Sequence, residues 1–400
     1  MKKASVFFKQ TAVICFLSIC SNFSAQNNTG NILQKEYEEL EAEKSHIINV
    51  DKEALQNYNE ILQKADSLLN RKSFSVVNKT GIPPSKTKHD YMSIGPYWWP
   101  NPETANGLPY IRKDGEINPE TRNSFTDYVE KKSFISTVKV LTKAYNLSNE
   151  KKYAFKNLEL INAWFLDDDT KMNPNVNYGQ YVPGKSEGRC FGIIEFAGLK
   201  AITKFLELAK DRNILDEKTE VGMFNWFTEY INWLQNSKLG KEAIVRENNH
   251  GTHYDLQLLD ILLYLNKKDV VKKHLSTITK ARIFSQIDPD GSQPHELART
   301  TSFSYSTMNL NAFLELVRLG RKVNINLWEF TSEDGRSIKA AYQYLMPYLT
   351  DEKKWTYQQI KSKKSSEAKL IRDLNYISEN LKDRSFDNVL LQLNQKNNKH

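Results

Sequence analysis

Apolar residues recur at three- and four-residue spacing along most of this chain, and the pattern predicts helix after helix. It covers residues 125–147, 150–166, 193–210, 217–235, 254–265, 268–284, 304–319 and 338–349. An earlier stretch, 31–70, carries Leu33, Tyr37, Leu40, Leu55, Tyr58, Leu62, Leu68 and Leu69 at the same spacing. Asn149, Asp216 and Asn266 stand where caps or turns belong. The joints are mostly short, so neighbouring helices pair as hairpins. Residues 72–123 break the rhythm with Pro83-Pro84, Gly95-Pro96, Pro100, Pro102 and Pro119, and read as one long ordered loop. Loops of that length in a compact domain are usually functional. Strand alternation is confined to short pieces near the carboxy terminus. The expected fold is all-α, an (α/α) toroid or barrel of helical hairpins. The interruptions at 175–192, 246–252 and 288–301 would form long loops at the mouth of its cleft.

The amino terminus departs from this pattern. Lys2, Lys3 and Lys9 precede an apolar run from Thr11 to Ile19, and Ser24-Ala25 offers small residues for cleavage. Residues 1–25 therefore read as a signal peptide, and 26–400 as a single toroid domain. The run is too short to span a bilayer. A lipid attachment at Cys20 fits less well, because Ile19 stands before it. The expected location is periplasmic or secreted, with no membrane span.

Of three cysteines, Cys15 and Cys20 leave with the signal, and Cys190 is expected to be a small buried residue. The formal charge of +8 falls to near +5 once the three signal lysines are gone, which suits an anionic partner. No nucleic-acid motif accompanies that charge, so nucleic acid is not expected. Nineteen Tyr and seven Trp offer platforms for sugar rings, although most aromatics are core in any protein.

Chemistry concentrates in two polar clusters. Glu247-Asn248-Asn249-His250-Gly251-Thr252-His253-Tyr254-Asp255 contains no aliphatic residue, and Gln293-Pro294-His295-Glu296-Leu297-Ala298-Arg299 is followed by Tyr305. An amide, an imidazole, a guanidinium and a phenol are what proton abstraction beside a carboxylate requires. In a uronic acid the C5 hydrogen adjoins a carboxylate, and its removal adds a second negative charge. Neutralising donors are worth about 10²- to 10³-fold each, and a positioned acid or base roughly 10²- to 10⁴-fold. Asn249, His250 and Arg299 are candidate neutralisers, Tyr305 a candidate acid and base, and His250 a second candidate base. Arg299 and an imidazolium beside Tyr305 would lower its phenol. Glu296, three residues before Arg299, would pair with it.

These residues, with Tyr97-Trp98-Trp99-Pro100 and Gly188-Arg189-Cys190-Phe191-Gly192-Ile193-Ile194-Glu195, resemble the alginate lyase-like polysaccharide lyases over 91–349. Family 5 shares the Asn-His, Arg and Tyr pattern, with Arg and Tyr one residue further apart. The Trp-Trp-Pro loop and the Arg299 to Tyr305 spacing look more like family 38. The resemblance implies a toroid that cleaves alginate by metal-independent β-elimination, leaving 4,5-unsaturated uronate ends. Tyr305 would be the acid, and Tyr305 or His250 the base.

Bland accounts compete at each position. Asn249 and His250 could cap the following helix, but beside Arg299 and Tyr305 catalysis is favoured. Arg189 could hold a second uronate carboxylate or form a salt bridge. Tyr97, Trp98 and Trp99 could stack on sugars or plug the toroid, and His253, Tyr254 and Glu247 could line the cleft or pack. Zinc pairs on a helix usually stand four apart, so the His250/His253 spacing predicts no metal, and no cofactor is expected. A monomer acting on alginate is the expected state. The rival functions are a lyase for another polyuronate such as glucuronan, a toroid hydrolase using Glu247 with Glu296 or Asp255, and a non-catalytic binder of anionic glycans.

Overall fold

The structure, a computed structural model, describes residues 52–397, so the 1–25 signal reading and the start of the first predicted helix lie outside it. Backbone contacts divide the described chain into two compact units. The smaller comprises residues 52–71 and 140–153. It holds α1 (Lys52–Leu69), in which Asp66 receives Lys152 Nζ and the Tyr153 hydroxyl, each at 2.9 Å.

The larger unit, residues 72–139 and 154–397, carries the succession of helices that the apolar periodicity predicts. Helix α2 (Tyr128–Ser148) starts in it; α3 (Lys151–Phe165), α4 (Lys200–Asp211), α5 (Glu217–Asn236) and α6 (Lys238–Ile244) follow. Next come α7 (Asn249–Tyr264) and α8 (Lys268–His274), which runs through a π-turn at Leu275–Thr279 into α9 (Lys280–Gln286). Then come α10 (Pro294–Leu297), α11 (Ser302–Lys322), α12 (Ile338–Leu349), α13 (Lys364–Asn380) and α14 (Asp387–Asn397). The fold class is all-α, of the helical-hairpin toroid type. The expected joints hold: Asp216 caps α5 by accepting from Thr219 N, and Asn149 and Asn266 turn the chain at φ of 60° and 58°. Among the described residues, no helix is long and apolar enough to cross a membrane.

Three local expectations change. The carboxy-terminal segment forms α13 and α14 instead of strand pieces, because Leu370, Leu374 and Ile377 recur at helical spacing and are buried. The loops contain short strands. β1 (Met92–Ile94) pairs in parallel with β4 (Tyr178–Tyr181), and β2 (Trp98–Trp99) pairs antiparallel with β3 (Ile111–Arg112). The helix expected from Ile193 begins three residues earlier as a 3₁₀ segment, Cys190–Leu199. Its close approach to β4 needs glycine, since a Cβ on Gly192 would lie 2.5–2.7 Å from the Gly179 backbone.

Many of the aromatics are core. Phe134 stacks on Trp164 at 4.8 Å, Phe165 meets Trp226 edge-on at 4.6 Å, and Trp226 stacks on Tyr230 at 5.2 Å. Such pairs add about 0.5–1.5 kcal/mol each beyond simple burial. Cys190 is a buried free thiol, as its surroundings in the sequence suggest.

One buried ion pair fixes the entry to α7. Arg282 Nε and Nη2 reach the two Asp255 oxygens at 2.8 and 2.9 Å, and His274 Nε2 lies 3.0 Å from the same carboxylate. The guanidinium also donates to the carbonyls of Arg246 (2.7 Å) and Ile244 (2.9 Å), which belong to the α6–α7 joint. Only glycine fits beside it: a Cβ on Gly251 would lie 2.0 Å from Arg282 Nη1. Removing one partner of such a pair strands a buried charge at a cost of about 3–5 kcal/mol. Asp255→Ala is therefore expected to lower unfolding stability by about that amount. Denaturant titration checks this, and a loss under about 1 kcal/mol would show that the clamp is dispensable.

Candidate active site

A cleft of about 760 Å³ opens in the larger unit. It is walled by the long loop, the start of α2, the 3₁₀ segment, the start of α7 and the start of α11. All four residues expected to do chemistry, Asn249, His250, Arg299 and Tyr305, line it.

Tyr305 stands one turn into α11 and its hydroxyl has two partners. Arg299 Nη2 donates to it at 2.8 Å, and the Tyr97 hydroxyl lies at 2.7 Å. The Arg299 guanidinium also sits 3.8 Å above the Tyr305 ring. The expectation that cations would lower this phenol is corrected. Burial and the neighbouring Tyr97 raise it by more than Arg299 lowers it, so Tyr305 is held protonated. The imidazolium invoked for that lowering is missing too, because burial, followed by His253 and Arg299, pulls His250 down to about 3.

Arg299 is oriented by a residue that the sequence reading missed. Asp114, from the long loop, receives Nη2 at 2.8 Å and Nε at 3.1 Å, and also accepts from Thr300 Oγ1 at 3.1 Å. Burial opposes the charge on Asp114, but the Arg299 hydrogen bond and charge outweigh it and hold the carboxyl at about 2. The predicted partner, Glu296, is instead buried against Asn249. It accepts from Asn249 N at 2.7 Å and from Nδ2 through both oxygens at 2.9 Å. Spacing along the chain favoured Glu296, yet the turn at α10 points it at α7.

The capping account of Asn249 and His250 fails on position. Asn248 is the cap of α7, its Oδ1 accepting from His250 N at 3.2 Å. Asn249 and His250 are thus the first two helical residues, raised to the cleft by the Arg282 clamp. Asn249 directs its amide nitrogen at Glu296 and leaves Oδ1 buried without a partner. His250 packs edge-on against Phe191 at 4.7 Å, with Nδ1 unpartnered.

Of the expected substrate-binding residues, Arg189, Tyr97 and Trp98 line the cleft. Arg189 makes no ion pair among the described residues, so its salt-bridge alternative fails. It donates to the Gln180 carbonyl (2.8 Å) and Oε1 (3.1 Å), near the Trp98 and Phe191 rings. Trp99, His253, Tyr254 and Glu247 are not brought to the lining. Trp99 Nε1 bonds the Glu116 carbonyl at 3.2 Å, and its ring lies under Lys113. Tyr254 is fully buried, donating to the Leu234 carbonyl at 3.1 Å. His253 lies a turn deeper than His250, lowered to about 4 by burial and by Lys369 and Lys200. Glu247 faces solvent.

Charge dominates the walls. Arg112, Arg122, Lys131, Arg189 and Arg299 line the cleft, against a single carboxylate, Glu195. Glu195 is engaged with the Tyr91 and Ser93 hydroxyls, each at 2.7 Å. Such a cleft selects for a polyanion. A hydrolase would need two opposed carboxylates, and Glu296 and Asp255 are both committed elsewhere. Among the described residues, no group of three His, Cys, Asp or Glu is placed to hold a metal ion.

Comparisons with known proteins agree with this chemistry. An alginate lyase from Bacteroides ovatus is 36% identical, with a TM-score of 0.84 over 89% of this chain and 93% of that one. A histidine-to-alanine variant of alginate lyase A1-III in complex with a tetrasaccharide shares the fold at 15% identity, with a TM-score of 0.51 over 78% of this chain and 76% of that one. A 3-dehydroquinate dehydratase from Dictyoglomus turgidum is 31% identical over 111 residues, 70% of that protein but only 28% of this chain. That stretch is too small a share of this chain to speak for its site. The sequence model of the alginate lyase family matches residues 75–355, which include every residue lining the cleft, and the chain belongs to that family.

Proposed function

We propose that this protein cleaves the 1,4-glycosidic bonds of alginate by β-elimination, leaving 4,5-unsaturated uronate at each new non-reducing end. The observation that carries this reading is the Arg299–Tyr305–Tyr97 hydrogen-bonded set beside a neutral imidazole in a cation-walled cleft. Alginate supplies a carboxylate next to the hydrogen that must leave, which matches that set. The signal-like residues 1–25 support action in the periplasm or outside the cell.

The roles divide by protonation state. Arg299 meets the uronate carboxylate and takes up the charge that grows as C5 loses its proton. Asn249, its amide nitrogen held by Glu296, presents only its Oδ1 acceptor, so its expected part as a neutraliser is corrected. Neutral His250 accepts that proton; an imidazole that burial holds at about 3 keeps one ring nitrogen unprotonated at neutrality. Tyr305, held protonated, donates to the O4 leaving group as the C4–O4 bond breaks. Tyr97, 2.7 Å away, stabilises the phenolate left behind and can pass a proton back. A hydrogen on the opposite ring face would need Tyr305 as base, and its raised phenol disfavours that step.

Two measurements test these roles. Incubation with alginate should raise ultraviolet absorbance from the unsaturated product, and Tyr305→Phe should cut kcat by about 10²-fold or more while binding changes little. Near-normal turnover by that variant would remove Tyr305 from the reaction. The second is the pH dependence of kcat/KM, which reports free-enzyme ionisations. A base lowered to about 3 stays neutral, and therefore active, as pH falls through the usual imidazole range near about 6.5. The acid limb should therefore be centred at about 3. A limb near about 6.5 would mean that His250 is not held neutral.

A further inference from the structure

The cleft holds more positive charge than cleavage of one sugar uses. Arg112 and Arg299 share Asp114, at 2.5 and 2.8 Å. Arg122, Lys131 and Arg189 form no ion pair among the described residues, and their hydrogen bonds go to neutral oxygens. Arg122 Nη1 donates to the Thr121 carbonyl at 3.0 Å and Lys131 Nζ to the Glu195 carbonyl at 2.6 Å. Arg122 is half-buried and Lys131 buried; Glu195 acts on Lys131 without forming an ion pair, and buried cations that lack a paired anion are costly unless a ligand supplies the charge. Burial has already lowered Lys131 to about 8.

Arg122 and Lys131 are organised around one ring. The Arg122 guanidinium stacks 3.5 Å from the Tyr128 centroid, and Lys131 Nζ lies 4.9 Å from it. All three side chains line the cleft. Tyr128 lines the same cleft as Tyr97 and Tyr305, which puts this group in one cavity with that hydrogen-bonded pair. Arg189 stands apart from it, on the loop before the 3₁₀ segment, against Gln180 and Trp98.

We propose that Arg122 and Lys131, held on Tyr128, form a separate carboxylate station that grips the uronate next to the one being cleaved. This rests on the polyuronate reading and sharpens it, because the enzyme would then recognise consecutive charged sugars. The station touches a neighbouring sugar, so it governs binding more than the chemical step.

Arg122→Gln removes the charge but keeps a planar head over Tyr128; Arg122→Lys keeps the charge. With alginate, Arg122→Gln should raise KM about tenfold, the equivalent of one station lost, with kcat within about twofold. It should also flatten the dependence of KM on ionic strength, because one screened attraction is gone. Arg122→Lys should recover most of both effects. Unchanged KM and salt dependence in a folded, active Arg122→Gln enzyme would overturn the proposal, as would a fall in kcat alone. Calorimetric binding of an oligouronate to wild type and Arg122→Gln reads the station without turnover. If wild type gave no ultraviolet product, the lyase reading would fail, and equal oligouronate affinities in the two proteins would sink the station independently.

Discussion

Asp114 carries the contact on which the site depends. It lies in the proline-rich loop, and through Arg299 and Thr300 it ties that loop to the entry of α11. The loop brings Tyr97 and α11 brings Tyr305, so one carboxylate sets the register between the two phenols. Its bidentate grip uses the Nε and Nη2 edge of Arg299, leaving the remaining donors of the fork for a ligand. The space beneath is close-fitted, since a Cβ on Gly115 would lie 2.3 Å from Thr300 Oγ1.

The second constraint is burial, which keeps the two candidate proton carriers neutral. Desolvation raises Tyr305 against the pull of Arg299, and it lowers His250 together with the neighbouring cations. The result is an acid with its proton and a base without one, standing in a field that attracts polyanions. Groups whose environments drive their ionisation in opposite senses divide acid from base work. The cations of the wall then attract substrate and also help to keep His250 neutral.

Much of this was legible in the sequence, for physical reasons. Apolar periodicity reports burial directly, so the helices from 128 to 349 appear nearly where the spacing puts them. Asn249 and His250 stood out because they lie in a polar run without aliphatic residues, and Arg299 and Tyr305 because they supply the guanidinium and phenol that proton abstraction beside a carboxylate needs. Asp114, Arg122 and Lys131 stayed hidden. Asp114 is an ordinary charged residue in its own neighbourhood, and its meaning comes from Arg299, 185 positions away. Arg122 and Lys131 stand close to Tyr128 along the chain, and only the fold brings that group to the cleft. One-dimensional spacing favours near neighbours and so points to Glu296 as the partner of Arg299, while the fold joins Arg299 to Asp114 across 185 positions. Trp99 and Tyr254 looked like binding residues by type; register and burial turn both to structural work. The strand pairs were invisible because segments of two to four residues leave no periodic trace.

The central claim is that a neutral His250 faces a protonated Tyr305 across the substrate. Nuclear magnetic resonance titration of the enzyme with isotope-labelled histidine reads this directly, with the His250 signal assigned by its loss in His250→Gln. The account predicts that the ring stays neutral from neutrality down to about pH 4, against about 6.5 for a free imidazole. A His250 signal already in the imidazolium form at pH of about 6 would contradict it.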